Sequence, residues 1–131
     1  MIFKVDEGMH IASSVWGDER NPLVVLLPGG GQTRNAWNQT GEQLGKAGFW
    51  TIALDFRGHG ESDWHSAGDY SLSSLVGDVK SVVTELDKPA AIVGASLGGI
   101  VGMSIAGDEN LKSLCWALVM VDIGIYPNAT G

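Results

Sequence analysis

The chemistry this 131-residue chain could perform centres on a serine framed by glycines. Residues 94–99 read Gly-Ala-Ser-Leu-Gly-Gly, and Ser96 stands between a short apolar run and a run of small residues. At a strand-to-helix turn, flanking glycines let the serine adopt a strained conformation with its hydroxyl above the sheet edge. The helix that follows would aim its first N–H, that of Leu97, at a developing oxyanion. The pattern predicts a nucleophilic serine for acyl transfer, although the same glycines could serve close packing alone.

The elements that must position this serine follow from the spacing of apolar residues. Short apolar runs bounded by turn residues indicate strands, and apolar residues three and four apart indicate helices. The expected elements are a hairpin of residues 2–7 and 10–16, strands at 23–27, 49–54, 90–93 and 116–121, and helices at 38–48, 71–86 and 97–106. The second helix has Ser71 as its N-cap and one apolar stripe from Leu72 to Leu86. Because strands and helices alternate from residue 23, we expect an α/β fold with a mainly parallel sheet and helices on both faces.

The composition excludes several classes of protein. Fifteen acidic and eight basic residues give a net charge of −7, which leaves no basic surface for nucleic acid or anionic lipid. The longest apolar run, residues 114–121, is far shorter than the about 20 residues of a membrane-spanning helix, and the chain opens on no signal-peptide pattern. Cys115 is the only cysteine, which excludes an intrachain disulfide and a cysteine-built metal site. We expect a soluble, cytoplasmic protein with no metal and no nucleic-acid or membrane partner.

Two further loops, taken with the serine motif, resemble those of the α/β-hydrolase family. In that family a histidine-glycine pair after the third strand precedes an oxyanion donor, and a tryptophan often follows. Here Pro28 takes the place of the histidine and Gly29 matches the glycine. Gly30 matches the donor position and Trp37 the aromatic residue. The resemblance implies that the N–H groups of Gly30 and Leu97 form an oxyanion hole and that Trp37 lines an acyl pocket, whereas the glycine triplet alone would indicate only a flexible turn.

The second loop, residues 55–62, reads Asp-Phe-Arg-Gly-His-Gly-Glu-Ser and is similar to the D-x-R-G-x-G-x-S loop after the fourth strand of many members. The resemblance assigns this loop to shaping the turn, with Asp55 and Arg57 satisfying local charges and carbonyl groups. It places His59 in the loop rather than in a catalytic triad. The resemblance covers residues 23–122.

The serine motif is not followed by the base that a serine nucleophile needs. A histidine must take the serine proton and an acid must orient that histidine, and the chain order in this family is serine, acid, histidine. No histidine follows Ser96, and among the later acidic residues only Asp122 stands at the end of an expected strand. Asp122 is therefore the candidate acid, with bracing of the start of a cap region as the alternative. The resemblance implies that residues 1–131 are the N-terminal part of a single α/β-hydrolase domain, ending at the expected start of the cap and before the last two strands.

These observations predict a serine hydrolase that acts on a small carboxylic ester, lactone or related acyl compound through an acyl-enzyme on Ser96, with no cofactor. A serine at this position disfavours the haloalkane dehalogenases and epoxide hydrolases of this fold, which carry aspartate there. Two alternatives remain open, a non-catalytic ligand-binding or scaffold module and a cofactor-free perhydrolase or haloperoxidase. We expect the chain alone to be inactive or poorly active. A complementing C-terminal fragment, or self-association through the last strand, would cover its apolar sheet edge.

Overall fold

The computed structural model describes residues 1–121. Within them lie six strands, three helices and three short 3-10 turns. The strands are β1 (Ile2–Lys4), β2 (His10–Trp16), β3 (Leu23–Leu27), β4 (Trp50–Leu54), β5 (Ala90–Ala95) and β6 (Cys115–Val121). The helices are α1 (Asn38–Lys46), α2 (Leu72–Leu86) and α3 (Leu97–Ala106). The 3-10 turns are Asp6–Gly8, Arg34–Trp37 and Lys112–Leu114.

The six strands form one sheet in the order β1-β2-β4-β3-β5-β6. The β1–β2 and β2–β4 pairs are antiparallel, whereas β3–β4, β3–β5 and β5–β6 are parallel. The predicted class, a mainly parallel α/β sheet, is confirmed. Because β3 is central and parallel to both neighbours, the loops that follow β3, β4 and β5 all leave the same edge of the sheet.

The core lies on both faces of the sheet, as the continuously apolar strands predict. All five residues of β3 are buried. Leu23, Val25 and Leu27 pack into the cluster that contains buried residues of α2 and α3, whereas Val24 and Leu26 belong to a second cluster with Leu44 of α1. Helices therefore cover both faces, which confirms that part of the prediction.

Helix α2 begins where its N-cap predicts. The Ser71 hydroxyl accepts a hydrogen bond from the Ser74 N–H, and the helix ends before Asp87, which adopts a left-handed conformation. Leu75, Val79 and other residues of the predicted stripe are buried. Leu72 is an exception, since it is 42% exposed in the first turn, beyond the reach of the core.

The β6 edge carries a partly exposed apolar surface. Within residues 1–121, β6 pairs only with β5. About half of each of five apolar side chains is exposed on β6 and the neighbouring α3, and we call this set the β6–α3 surface: Ile100, Met103, Trp116, Val119 and Met120. In the described part of the chain, no helix has the length and apolar character required to cross a membrane.

Candidate active site

Ser96 occupies the one-residue turn between β5 and α3. Its φ of 54° and ψ of −114° are sparsely populated for a residue with a side chain, and such strain costs roughly 1–3 kcal/mol. The Ser96 carbonyl accepts the first hydrogen bond of α3, from the Ile100 N–H at 3.1 Å. The side chain is exposed, and its hydroxyl has no hydrogen-bond partner among residues 1–121. This is the strand-to-helix context that the sequence motif predicts.

The glycines around Ser96 are required because strand and helix backbones approach each other closely there. A Cβ added at Gly98 would lie 2.7 Å from the carbonyl carbon of Leu27 on β3, and closer still to its oxygen. A Cβ added at Gly94 would lie 2.5 Å from the Gly99 nitrogen. Side chains at these two positions would push α3 away from the sheet and displace the serine between them.

The loop after β3 passes over the start of α3. Gly30 is exposed, and a Cβ added there would lie 3.5 Å from Cδ2 of Leu97. The N–H groups of Gly30 and Leu97 have no hydrogen-bond acceptor within residues 1–121. The structure therefore brings Gly30, Leu97 and Ser96 to one edge of the sheet, with two backbone donors left over.

The backbone on either side of Gly30 is held by other groups. The Gln32 N–H donates to the Gly29 carbonyl at 3.1 Å, and the Gln32 side-chain oxygen accepts from the Gly29 N–H at 3.3 Å. The Gly31 N–H donates to Nε2 of His59 at 3.1 Å. Gln32 and His59 therefore brace this loop, which begins at Pro28.

A buried carboxylate ties the same region to the loop after β4. Asp55 is fully buried and accepts hydrogen bonds from the N–H of Arg34 at 2.6 Å and of Glu61 at 3.0 Å. The Arg34 guanidinium also pairs with Asp55 and with Glu61. These contacts, with Glu61 as the largest cause and Asp55 next, raise the pKa of Arg34 above its usual value. The sequence motif indicates a role for Asp55 but does not identify Arg34 as its partner.

Arg57 fixes the other end of this loop to α2. Its guanidinium donates to both carboxylate oxygens of Asp78 at 2.7 Å, and the two side chains are only 3% and 5% exposed. A further hydrogen bond of 3.0 Å reaches the carbonyl of Asp69. The Asp78 hydrogen bonds are the largest cause that raises the pKa of Arg57. Arg57 therefore neutralises a buried carboxylate and donates to a backbone carbonyl, as the loop motif predicts.

Each of the three histidines contacts another group. His10 contacts the Asp63 carboxylate at 3.0 Å, and His65 contacts Glu7 at 3.1 Å. His59 has Nδ1 at 3.0 Å from the Arg57 carbonyl and Nε2 on the Gly31 N–H. Asp122, the candidate acid, lies outside the described residues.

A small cavity lies beside the proposed nucleophile. Its volume is about 180 Å³, and it is lined by Gln32, Ala36, Trp37, Ala95 and Val121. Trp37 and Ala95, the residue before Ser96, therefore line the same cavity, at the place expected for an acyl pocket. A larger groove of about 420 Å³ between β2 and α1 contains none of the predicted site residues. Within residues 1–121, no three histidine, cysteine or acidic side chains are grouped so that they could hold a metal ion.

A mostly parallel sheet with a strained serine at a strand-to-helix turn defines the class of α/β proteins that carry a nucleophile elbow. A family model described as the alpha/beta hydrolase fold matches residues 22–130, and the chain belongs to that family.

Relatives within this family include enzymes named as esterases. The chain is 34% identical over 114 residues to the esterase Rv0045c of Mycobacterium tuberculosis, covering 86% of this chain and 36% of the relative. It is 32% identical over 107 residues to protein phosphatase methylesterase 1 of Bos taurus, covering 78% of this chain and 28% of the relative. Among solved structures, the thioesterase domain from the curacin biosynthetic pathway superposes with a TM-score of 0.84 at 26% identity, covering 92% of this chain and 44% of that one. The chain thus spans about a third of the length of the two esterases.

Proposed function

We propose that this chain carries the nucleophile and oxyanion-binding part of a serine hydrolase for small carboxylic esters, lactones or related acyl compounds. The observation that carries the proposal is Ser96, an exposed serine held at φ 54° directly before the N-terminus of α3. In the proposed step, Ser96 Oγ attacks the acyl carbon and forms a tetrahedral oxyanion. The similarity to enzymes named as esterases supports the same reaction class.

The N–H groups of Gly30 and Leu97 would hold that oxyanion. The two residues are neighbours, since a Cβ added at Gly30 would lie 3.5 Å from Cδ2 of Leu97, and neither N–H has an acceptor within the described residues. A donor of this kind contributes about 3 kcal/mol to transition-state stabilisation. The 180 Å³ cavity beside Trp37 is below the usual size of pockets for drug-sized ligands, which favours a short acyl group.

The general base and its acid would come from outside residues 1–121. Every histidine in the sequence lies before Ser96 and has another partner, and the candidate acid Asp122 is outside the described residues. The β6–α3 surface offers a place for further polypeptide of the same domain, because β6 pairs on one side only and its apolar side chains are half-exposed. The greater length of the relatives makes such a segment the occupant we propose.

A fluorophosphonate probe tests this proposal directly. The chain would be treated alone and as part of a longer polypeptide continuing beyond residue 131, and adducts would be mapped by peptide mass spectrometry. We expect an adduct on Ser96 in the longer protein, weaker labelling of the 131-residue chain, and none in Ser96→Ala. Ser113→Ala is the matched control, since Ser113 is exposed but lies away from any strand-to-helix turn. Absence of a Ser96 adduct in both forms would refute the proposed nucleophile.

A non-catalytic binding module is the second candidate, because no base accompanies Ser96 in the described residues. Hydrolysis of p-nitrophenyl acetate and octanoate separates the two. The hydrolase proposal predicts turnover that favours acetate and is lost in Ser96→Ala. Binding of the acetate to the longer protein without turnover supports the binding module instead.

A further inference from the structure

His59 connects two loops at the edge of the sheet where Ser96 lies. Its Nδ1 is 3.0 Å from the Arg57 carbonyl oxygen, and its Nε2 is 3.1 Å from the Gly31 nitrogen. A carbonyl oxygen can only accept a hydrogen bond and a backbone N–H can only donate one. These two partners together require a neutral ring with the proton on Nδ1 and a lone pair on Nε2.

This bridge fixes one of the two peptide planes that flank Gly30. The plane between Gly29 and Gly30 is oriented by the Gln32 N–H, which donates to the Gly29 carbonyl. The plane between Gly30 and Gly31 is oriented by His59, which accepts from the Gly31 N–H. The Gly30 N–H lies in the first of these planes, and His59 restricts it indirectly, by fixing the plane on the other side of Gly30. Glycine has the largest backbone freedom of any residue type, so both anchors are needed to hold this run of three glycines.

The ring is itself well held. Phe56 contacts it edge-on, with ring centroids 6.5 Å apart and planes at 74°. The charged groups of this loop and of the elements packed against it are paired with one another. Arg34, from the segment after β3, pairs with Asp55 and Glu61, and Arg57 pairs with Asp78 of α2. The imidazole is left with its two backbone partners.

We propose that neutral His59 is a positioning residue that holds the Gly29–Gly31 loop in the conformation that presents the Gly30 N–H. A second proton would occupy Nε2 and oppose the Gly31 N–H, so acidification would release the loop. The histidine would act on the loop without touching substrate. The effect of this bridge on catalysis rests on the proposed function, whereas the bridge itself does not.

Nuclear magnetic resonance tests the bridge without any activity measurement. In the unaltered protein we expect neutral His59 to carry its proton on Nδ1, and the Gly31 amide resonance to move as His59 titrates. We also expect the Gly31 amide to exchange with solvent faster, relative to its neighbours, once His59 is protonated. The inference would be overturned if neutral His59 carried its proton on Nε2, or if the Gly31 amide resonance did not change when His59 is protonated.

The rate of Ser96 labelling by the fluorophosphonate probe, measured against pH in the longer protein, tests the consequence. His59→Gln keeps an acceptor within reach of the Gly31 N–H, so it should label at a near-native rate. His59→Leu should label roughly ten- to a hundredfold more slowly at every pH. His10→Gln, at an exposed histidine, is the matched control and should keep the native pH profile.

Two outcomes separate the proposals. If His59→Leu is labelled at the native rate, His59 does not position the loop. If no variant is labelled on Ser96 while the Gly31 amide follows His59, the proposed function fails and the bridge stands.

Discussion

We expect that any side chain at position 98 disrupts the packing of α3 against β3. In Gly98→Ala the new methyl group would lie 2.7 Å from the Leu27 carbonyl carbon and 2.8 Å from its Cβ, whereas real Cβ atoms essentially never approach other heavy atoms below 3.0 Å. The clashing atoms include backbone of a fully buried strand, so the helix itself must move, by roughly 0.5 Å. Overpacking of this kind costs typically about 1–3 kcal/mol.

The same substitution also removes a glycine from a helix, which stabilises by roughly 0.5–1 kcal/mol. We therefore expect a net loss of up to about 2.5 kcal/mol in the free energy of unfolding for Gly98→Ala. Gly77→Ala is the matched control, because Gly77 lies within α2 and a Cβ there meets nothing within 4 Å. It should gain about 0.5–1 kcal/mol.

Urea denaturation followed by circular dichroism measures both variants against the unaltered protein. Because Ser96 lies two residues before the displaced position, labelling by the fluorophosphonate probe should also slow, by up to roughly a hundredfold, in Gly98→Ala and stay unchanged in Gly77→Ala. Equal stabilisation of the two alanine variants would refute the close approach of α3 and β3 as the reason for glycine at 98.

Two further predictions concern the loop after β4 and the start of α2. Arg57→Met leaves the Asp78 carboxylate buried without its partner and should lower the free energy of unfolding by about 3–5 kcal/mol. The double variant Arg57→Met with Asp78→Leu should lose less than the single one, and a double-mutant cycle in urea that shows simple additivity would contradict the pair's coupling. Hydrogen bonds from Ser74 and Ser71 hold the pKa of Asp69 well below its usual range. A carboxyl group whose pKa is lower in the folded than in the unfolded protein stabilises the fold at pH values above its unfolded pKa, and this stabilisation is lost on acidification. Asp69→Asn should therefore be less stable than the unaltered protein at pH 7. That difference should shrink as the pH falls below the model-peptide range of aspartate, near 4; thermal unfolding from pH 7 to pH 2.5 measures it, and a constant difference would refute the assignment.

The secondary structure was predictable where an apolar run meets a strong terminator. β3 ends at Leu27, immediately before Pro28 and the glycine triplet, and α3 spans the predicted residues 97–106. The predicted end of the first strand was less accurate, because a tight turn replaces its last residues. β1 ends at Lys4 instead of residue 7, because residues 6–8 form a 3-10 turn in which Glu7 adopts a φ of 63°.

The polar contacts between loops were not predictable from the sequence, because they depend on strand register. β3 and β4 are parallel neighbours with Leu26 opposite Ala53, so the segments after them emerge side by side. This places Arg34 against Asp55, 21 residues later. The sequence motif indicates that residues 55–62 shape a turn, but nothing in its spacing selects Arg34 or the Gly31 N–H as partners.

The contacts of the three histidines add to what their positions in the sequence imply about the general base. From the sequence, no histidine follows Ser96, which leaves an earlier one as a formal alternative for the base. A triad histidine must offer one ring nitrogen to the serine and donate from the other to an acid. Nδ1 of His65 accepts from the N–H groups of Ala67 and Asp69, which leaves its Nε2–H to donate to Glu7. His59 is fixed in the opposite tautomer by two backbone groups, and His10 contacts Asp63 at the exposed end of β2. His59 and His65 would have to break existing contacts to serve Ser96, and His10 lies on β2, which β4 and β3 separate from β5. The acyl-transfer proposal therefore requires a base from outside residues 1–121.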